Sequence, residues 1–457
     1  MSGRTGPRYL QIVEAIAGAI DSGALTPGTR LPPHRELAYR LGVSANTASR
    51  AYAEAVRRAL LVGEVGRGTF VLAPDEHRHG DTPASLRRQA SGPIDLSRNL
   101  PLPGFAEPHI QRVLGELAGE GGLAPLLDYQ TDRDPIRHAE AGAAWLTHNG
   151  LEAAPARVVT TMGGQHGVLS TLMGALRPGD LLLTEALTYT PVCAMAERLG
   201  VRIETVAMDA DGLIPEALEE VCRHARPAAL YLTPTLQAPT TVTLSEARRQ
   251  VIAGIAEAHD LLVIEDDVFA PLKTDRPLPI AAAAPEHTVY VTSLSKSVAP
   301  GLRVGFLSAP PRLVPALRHA INLSVWMTPP LNAEVAARLI EDGTAGRLAG
   351  EQRAAAAHRQ RLVRAILDTN DIAADPHGLH VWLRLPDDWR ADTFKAQCQR
   401  EGVLVSEGRS FAVKAKDAPE AIRLCLSHEP DHARLERGLE TIAHLLQVPS
   451  IQAMVEL

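Results

Sequence analysis

The chain has 457 residues, 45% hydrophobic and 22% charged, a balance that fits a globular protein of two to four domains at roughly 100–200 residues each. Its net charge of −7 is uneven: residues 1–74 carry nine Arg, no Lys and five acids, residues 75–92 balance three against three, and residues 93–457 hold 34 basic and 45 acidic residues. Four scattered cysteines without CxxC or metal spacing argue against a disulfide scaffold or metal centre, and no run nears the roughly 20 apolar residues of a membrane span, so a cytoplasmic protein with no metal and no membrane partner is expected.

The first predicted element is a helix over Tyr9–Ser22, with an apolar stripe at Leu10, Val13, Ile16, Ala17 and Ile20. Pro32 and Pro33 then precede a short helix, His34–Leu41, which Gly42 stops. Ser44 is placed to cap the next helix, Ala45–Arg58. Helix, glycine turn and helix in this order make a helix-turn-helix. On the second of these helices Ala48, Ala51, Tyr52 and Ala55 share one face, and the polar residues lie mainly elsewhere. LLVGEVGRGTFVLAP reads as a hairpin turning at Gly66-Arg67-Gly68, a wing whose narrow arginine tip suits a phosphate or a minor groove. Groove geometry puts the start of a recognition helix at base edges and arginines at phosphates. The candidate DNA contacts are Arg35, Ser44, Asn46, Thr47, Arg50 and Arg67. The basic sign of this head fits a polyanion partner. Double-stranded DNA is therefore the expected partner; a protein-binding three-helix domain is the other reading.

Residues 75–92 are polar, with Pro, Gly and Ser and no apolar period, and read as a linker. The expected domains are thus 1–74, a winged helix-turn-helix, and 93–457, a body. In the body, strands are predicted at Arg157–Thr161, Asp180–Thr184, Arg202–Ala207, Ala228–Thr233, Leu261–Glu265 and Thr288–Thr292, with helical patterns between them. That alternation argues an α/β fold with a mostly parallel sheet.

Lys296 follows the last of these strands, in SLSKSVAPGLRVG, and is one of only five lysines in the chain. A lysine at a strand end, flanked by Ser293, Ser295 and Arg303, suits pyridoxal 5'-phosphate: the amine meets the aldehyde, and hydroxyls and a guanidinium take the phosphate. Asp266, ending the strand in VIEDD, can pair with a pyridinium nitrogen. Gly164 and Gln165, in TTMGGQHGV, place free amides at a helix N-terminus, an anion site. Tyr189, in LTYTPV, can stack on the ring. Each signal alone also fits a surface lysine, a loop acid, a glycine turn or a core tyrosine. Together they lie at the C-terminal strand ends, where open α/β sheets bind ligands.

PGTRLPPHRELAYRLGVSANTASRAY resembles the GntR family of winged-helix regulators, departing at Ala45, where relatives often carry a basic residue. From about Pro93 onward the order of segments resembles fold-type I aminotransferases of class I/II, with SLSKSVAPGLRVG as the most specific piece. Head and body together resemble the MocR subfamily. The resemblance implies a fold-type I body with a small C-terminal α+β subdomain, with Lys296 as the cofactor lysine. It implies that Asp266, Tyr189, Gly164, Gln165, Ser293, Ser295 and Arg303 hold the cofactor, and that Arg423, in EAIRLCLS, binds an effector carboxylate. It further implies a homodimer with exchanged heads, in which Tyr129 reaches the phosphate of the other subunit, and an amino compound or the cofactor itself as the signal. Departures fall at Ala238, where many relatives have asparagine, at Phe269 in place of tyrosine, and at Asp134 in place of glycine. The first two remove hydrogen-bond donors to the cofactor's phenolic oxygen, so weak or altered transamination is expected. An active aminotransferase with a tethered head, and a regulator that has lost the cofactor, are the competing readings.

Overall fold

The computed structural model describes residues 7–21, 24–26, 29–57, 60–64, 68–71, 92–129, 136–367 and 371–448. The chain divides into two compact units, residues 1–84 and 85–457.

The first unit contains α1 (Arg8–Asp21), β1 (Arg30–Leu31), α2 (His34–Leu41), α3 (Ala45–Arg57), β2 (Leu61–Glu64) and β3 (Gly68–Val71). Gly42 ends α2 with φ +63°, a left-handed turn that a side chain would strain. Ser44 then caps α3, its Oγ accepting from the Thr47 N–H at 3.1 Å. Ile12, Val13 and Ile16 from α1 pack on Ala51, Tyr52 and Ala55 from α3, and Leu31, Leu61 and Val71 close the core from the sheet. The Tyr52 hydroxyl donates to the Pro32 carbonyl at 2.7 Å, fixing the entry to α2. β2 and β3 form the expected antiparallel wing, Leu61 opposite Val71. β1 was not expected; it pairs with β3 through only two residues, too short for a period-2 pattern. Arg67 and the turn before Gly68 lie outside the described residues.

The second unit is built on a seven-stranded sheet: β4 (Val158–Thr161), β5 (Leu181–Glu185), β6 (Arg202–Val206), β7 (Ala229–Leu232), β8 (Leu262–Asp266), β9 (Thr288–Ser293) and β10 (Gly305–Ser308). Their spatial order is β4-β10-β9-β8-β7-β5-β6. Only β10 runs against the others. Both faces are covered, so the inner strands β5, β7 and β8 are mostly apolar, whereas β6, at the sheet edge, is the mixed polar segment RIETV and is mostly half-buried. Leu181 and Leu183 enter one core with Ile252 and Ala256, whereas Leu182 enters another with Val168 and Leu172. The six predicted strands are all present within a residue or two. β10 escaped prediction because GFLS is short and glycine-led. That glycine is required: a Cβ on Gly305 would sit 2.8 Å from the Gly163 carbonyl carbon and from the Thr292 oxygen.

The C-terminal part is the expected smaller α+β layer. Ile372–Ala374, His380–Arg384, Ala421–Cys425 and Ser406–Glu407 form an antiparallel sheet in that order. Helices Ala391–Arg400 and His432–Gln447 pack on it through Phe394, Leu435 and Leu439. The start of the body, Ile94–Asp95, pairs in parallel with Val403–Leu404 and so joins this layer. Among the described residues no helix is long and apolar enough to cross a membrane.

Candidate cofactor site at the strand ends

The parallel strands β4, β5, β7, β8 and β9 deliver their C-terminal ends to one edge, where helix dipoles and loops converge. After β4, Gly163 takes φ +81° and helix α4 (Gly164–Ala175) begins. No side chain caps this N-terminus, so its first amides remain available to an anion. The glycines are sterically obligatory. A Cβ on Gly163 would lie 3.0 Å from the Arg303 guanidinium, and one on Gly164 would lie 2.8 Å from Val268 and 3.8 Å from the Ser293 hydroxyl. The same contacts bring Arg303 and Ser293 to the cradle. Arg303 also donates to the Met162 carbonyl at 3.0 Å. Ser295 is half-buried, and its N–H donates to Ser293 Oγ at 3.3 Å. The side chain of Gln165 is exposed and turns away to accept from the Tyr189 hydroxyl at 3.3 Å. Gln165 therefore offers the cradle its backbone, and its side chain orients Tyr189.

Asp266 ends β8 and is 6% exposed. Its Oδ2 accepts from the Tyr231 hydroxyl at 2.8 Å, and its Oδ1 is buried with no hydrogen-bond partner. Burial lifts its pKa to about 6; neighbouring Asp267 adds to the rise, and the Tyr231 bond and Lys296 oppose it. Lys296 is half-buried. Its amine donates to the Asn99 carbonyl at 2.5 Å and sits 5.4 Å from the centre of the Phe269 ring. Burial, helped by the Arg423 and Arg303 cations, pulls its pKa down to about 8. An amine so shifted is partly neutral near neutral pH, as a nucleophile must be. Arg423, 6% exposed, donates to the Ser97 carbonyl at 2.7 Å and lies 4.5 Å over the Phe411 ring. Tyr129 is on the surface, 73% exposed, with its ring 6.0 Å from that of Trp326.

Pyridoxal phosphate fits these residues. A buried carboxylate oxygen lacking a donor matches a pyridinium N–H. The glycine cradle with Ser293 and Arg303 matches a phosphate. A lysine whose lowered pKa leaves it partly neutral near neutral pH matches an aldehyde. Ala238 and Phe269, the two positions where hydrogen-bond donors are expected to be missing, join Leu236, Leu272, Ala356 and Leu379 in an apolar cluster.

Three site residues escaped sequence reasoning. Tyr231 lies within the apolar run of β7 and reads as core; the strand register that carries it to Asp266 has no local signature. His380 and Asn99 are brought to Lys296 by the C-terminal layer and by the first segment of the body, far from it in sequence.

In the head, Arg35, Ser44, Asn46 and Arg50 are exposed and Thr47 is half-buried. Asn46 and Arg50 stand one turn apart on α3, on the face opposite the buried Ala48, Ala51 and Ala55. The hydroxyls of Ser44 and Thr47 bond to each other at 2.8 Å, so both take part in the cap. The Arg50 guanidinium lies 4.6 Å over the Tyr9 ring.

Residues 129–442 match the family model for aminotransferase class I and II, and residues 8–71 match that for bacterial regulatory proteins of the gntR family. The chain is 30% identical to the uncharacterized HTH-type transcriptional regulator YdeF of Bacillus subtilis, over 95% of this chain and 94% of that one. The chain belongs to the MocR-type branch of the GntR transcription regulators. It is also 28% identical to the vitamin B6 salvage pathway transcriptional repressor PtsJ of Salmonella typhimurium, over 91% of this chain and 94% of that one. Among solved structures, LysN, the alpha-aminoadipate aminotransferase of Thermus thermophilus, superposes with a TM-score of 0.71 at 25% identity, covering 79% of this chain and 95% of that one. The body of this regulator thus has the fold-type I aminotransferase architecture, and its head is a DNA-binding helix-turn-helix.

Proposed function

We propose that this regulator holds pyridoxal phosphate on Lys296 and reads an amino compound there to control DNA binding by its head. The observation that carries the reading is the buried, unpartnered Oδ1 of Asp266 beside a lysine of lowered pKa and a glycine-lined anion cradle. The bound cofactor supplies an electrophilic carbon for amines and an electron sink. The chain's own residues do the rest. Asp266 accepts from the ring nitrogen. The α4 amides, including those of Gly164 and Gln165, take the phosphate with Ser293, Ser295 and Arg303. Tyr189 stacks on the ring. Lys296 presents its nitrogen, and Arg423 takes the effector's carboxylate in place of the Ser97 carbonyl.

Ser97 and Asn99, which now occupy Arg423 and Lys296 through their carbonyls, belong to the first stretch of the body after the proposed linker, residues 75–92. A ligand that displaces these carbonyls favours one arrangement of that stretch over another, which is the differential interaction coupling requires. A homodimer is the proposed working form. Leu127, Tyr129, Ile136, Leu323 and Trp326 are each at least 60% exposed, a large apolar presence for a surface. Tyr129, whose ring neighbours that of Trp326, would reach the other copy's phosphate, and the heads at residues 1–74 would exchange between the two bodies at 93–457.

The test is a titration of the cofactor-loaded protein with a panel of amino acids, following absorption and operator affinity in one sample. At least one carboxylate-bearing amine is expected to change both. Changes in absorption with steady keto-acid production and unchanged DNA affinity would favour an aminotransferase with a tethered head.

A further inference from the structure

Asn99 touches Lys296 with its main chain and a buried histidine with its side chain. Its Nδ2 lies 3.0 Å from His380 Nδ1, and His380 Nε2 lies 3.3 Å from the Gln237 carbonyl. A carbonyl only accepts, so Nε2 carries the hydrogen. His380 is fully buried, and burial together with the Arg423 and Lys296 cations pushes its pKa down to about 3. The ring is therefore neutral, Nδ1 is an acceptor, and the Asn99 amide must face it with its nitrogen. The Asn99 Oδ1 is left buried without a partner. The stretch around Asn99 is clamped on both sides. The Cys425 N–H donates to the Leu96 carbonyl at 2.7 Å, and the Gln352 side chain bonds both the N–H and the carbonyl of Leu102, at 3.0 and 2.8 Å.

We propose that Asn99 and His380 are positioning residues for Lys296: the imidazole locks the Asn99 amide, and the Asn99 main-chain oxygen so fixed holds the lysine amine where it meets the cofactor aldehyde. The inference rests on the reading of Lys296 given above. Capture joins the lysine nitrogen to the aldehyde carbon; the aldehyde oxygen leaves as water, taking both hydrogens of the neutral amine. The reaction needs the nitrogen at one place, and misplacement by about 1 Å costs on the order of a hundredfold. Phe269 and Ala238 offer no hydrogen bond on this side of the site, so the polar relay from Gln237 through His380 to Asn99 is what orders it.

The experiment uses the full chain and pyridoxal phosphate alone as probe. The rate at which the near-visible absorption band grows is measured from pH 6 to 10 for the wild type, His380→Leu, His380→Asn and Asn99→Ala, with thermal unfolding of each. His380→Leu and Asn99→Ala are expected to lower the high-pH plateau rate about ten- to a hundredfold. His380→Asn restores most of it, because its carboxamide oxygen replaces the Nδ1 acceptor. Equal rates for Leu and Asn at position 380 mean that the residue only fills space, which overturns the proposal. So does a wild-type plateau in Asn99→Ala. Absence of a band in the wild type itself would instead remove the underlying role of Lys296, and the positioning role with it.

Discussion

Asp266→Ala is expected to weaken pyridoxal phosphate binding about a hundredfold while leaving the fold intact. Truncating one partner of a buried, hydrogen-bonded charge pair costs about 2–5 kcal/mol, and the ring nitrogen would be left without an acceptor. The empty fold tolerates the change because the carboxyl's own burial is unfavourable, as its pKa of about 6 records. The sign of the pH dependence follows from that value. The carboxyl binds its proton more tightly in the folded chain than at its ordinary value near 3.8, so its contribution to stability is greatest at low pH and is lost as pH rises through about 6. Cofactor binding runs the other way. A pyridinium N–H selects the ionised carboxylate, so affinity rises with pH through about 6 and then levels. Capture by Lys296 adds a second rise near 8, where its amine becomes neutral. A pH series of binding curves in Asp266→Ala should lose the rise near 6 and keep the one near 8. A variant that binds as tightly as the wild type at neutral pH would show that another group faces the ring nitrogen.

Arg50→Ala is expected to lower operator affinity about ten- to a hundredfold, in line with the roughly 1–3 kcal/mol of a base-contacting arginine. Arg50 and Asn46 project from the α3 face opposite the core, while Ser44 and Thr47 are engaged in capping. The guanidinium lies over Tyr9, which limits its freedom before DNA arrives. Binding measured against salt separates two roles. If Arg50 holds a phosphate, its removal lowers the salt slope by about one; if it reads a base, the slope stays and the sequence preference changes. Absorption of the cofactor-loaded body should be unchanged. Wild-type DNA affinity in this variant would move the recognition surface elsewhere on the head.

What the sequence reveals here depends on how local the cause is. Gly42, Ser44 and the alanine face of α3 are local signals, and they become a turn, a cap and a packed face in the structure. Among the six parallel strands, β5, β7 and β8 are mostly apolar runs bounded by polar turns, whereas β6 is the mixed segment RIETV; all six lie within a residue or two of where the sequence places them. β10 depends on the close approach of Gly305 to Gly163 and Thr292, a tertiary fact with no periodic trace. The site divides in the same way. Lys296, Asp266 and the Gly163-Gly164 turn announce themselves at strand ends. Tyr231, His380 and Asn99 reach the site only through strand register and a segment nearly two hundred residues from Lys296 in sequence, and the hydrogen bonds that define their roles exist only in the folded chain.

The central claim is that a transcription regulator carries pyridoxal phosphate on Lys296. The most direct test is the absorption spectrum of the purified full chain with added pyridoxal phosphate, beside Lys296→Ala treated alike, after removal of unbound cofactor. The account predicts a retained near-visible band in the wild type and none in the variant, with DNA binding by the variant's head preserved. No retained band in the wild type, or an equal band in both, would contradict it.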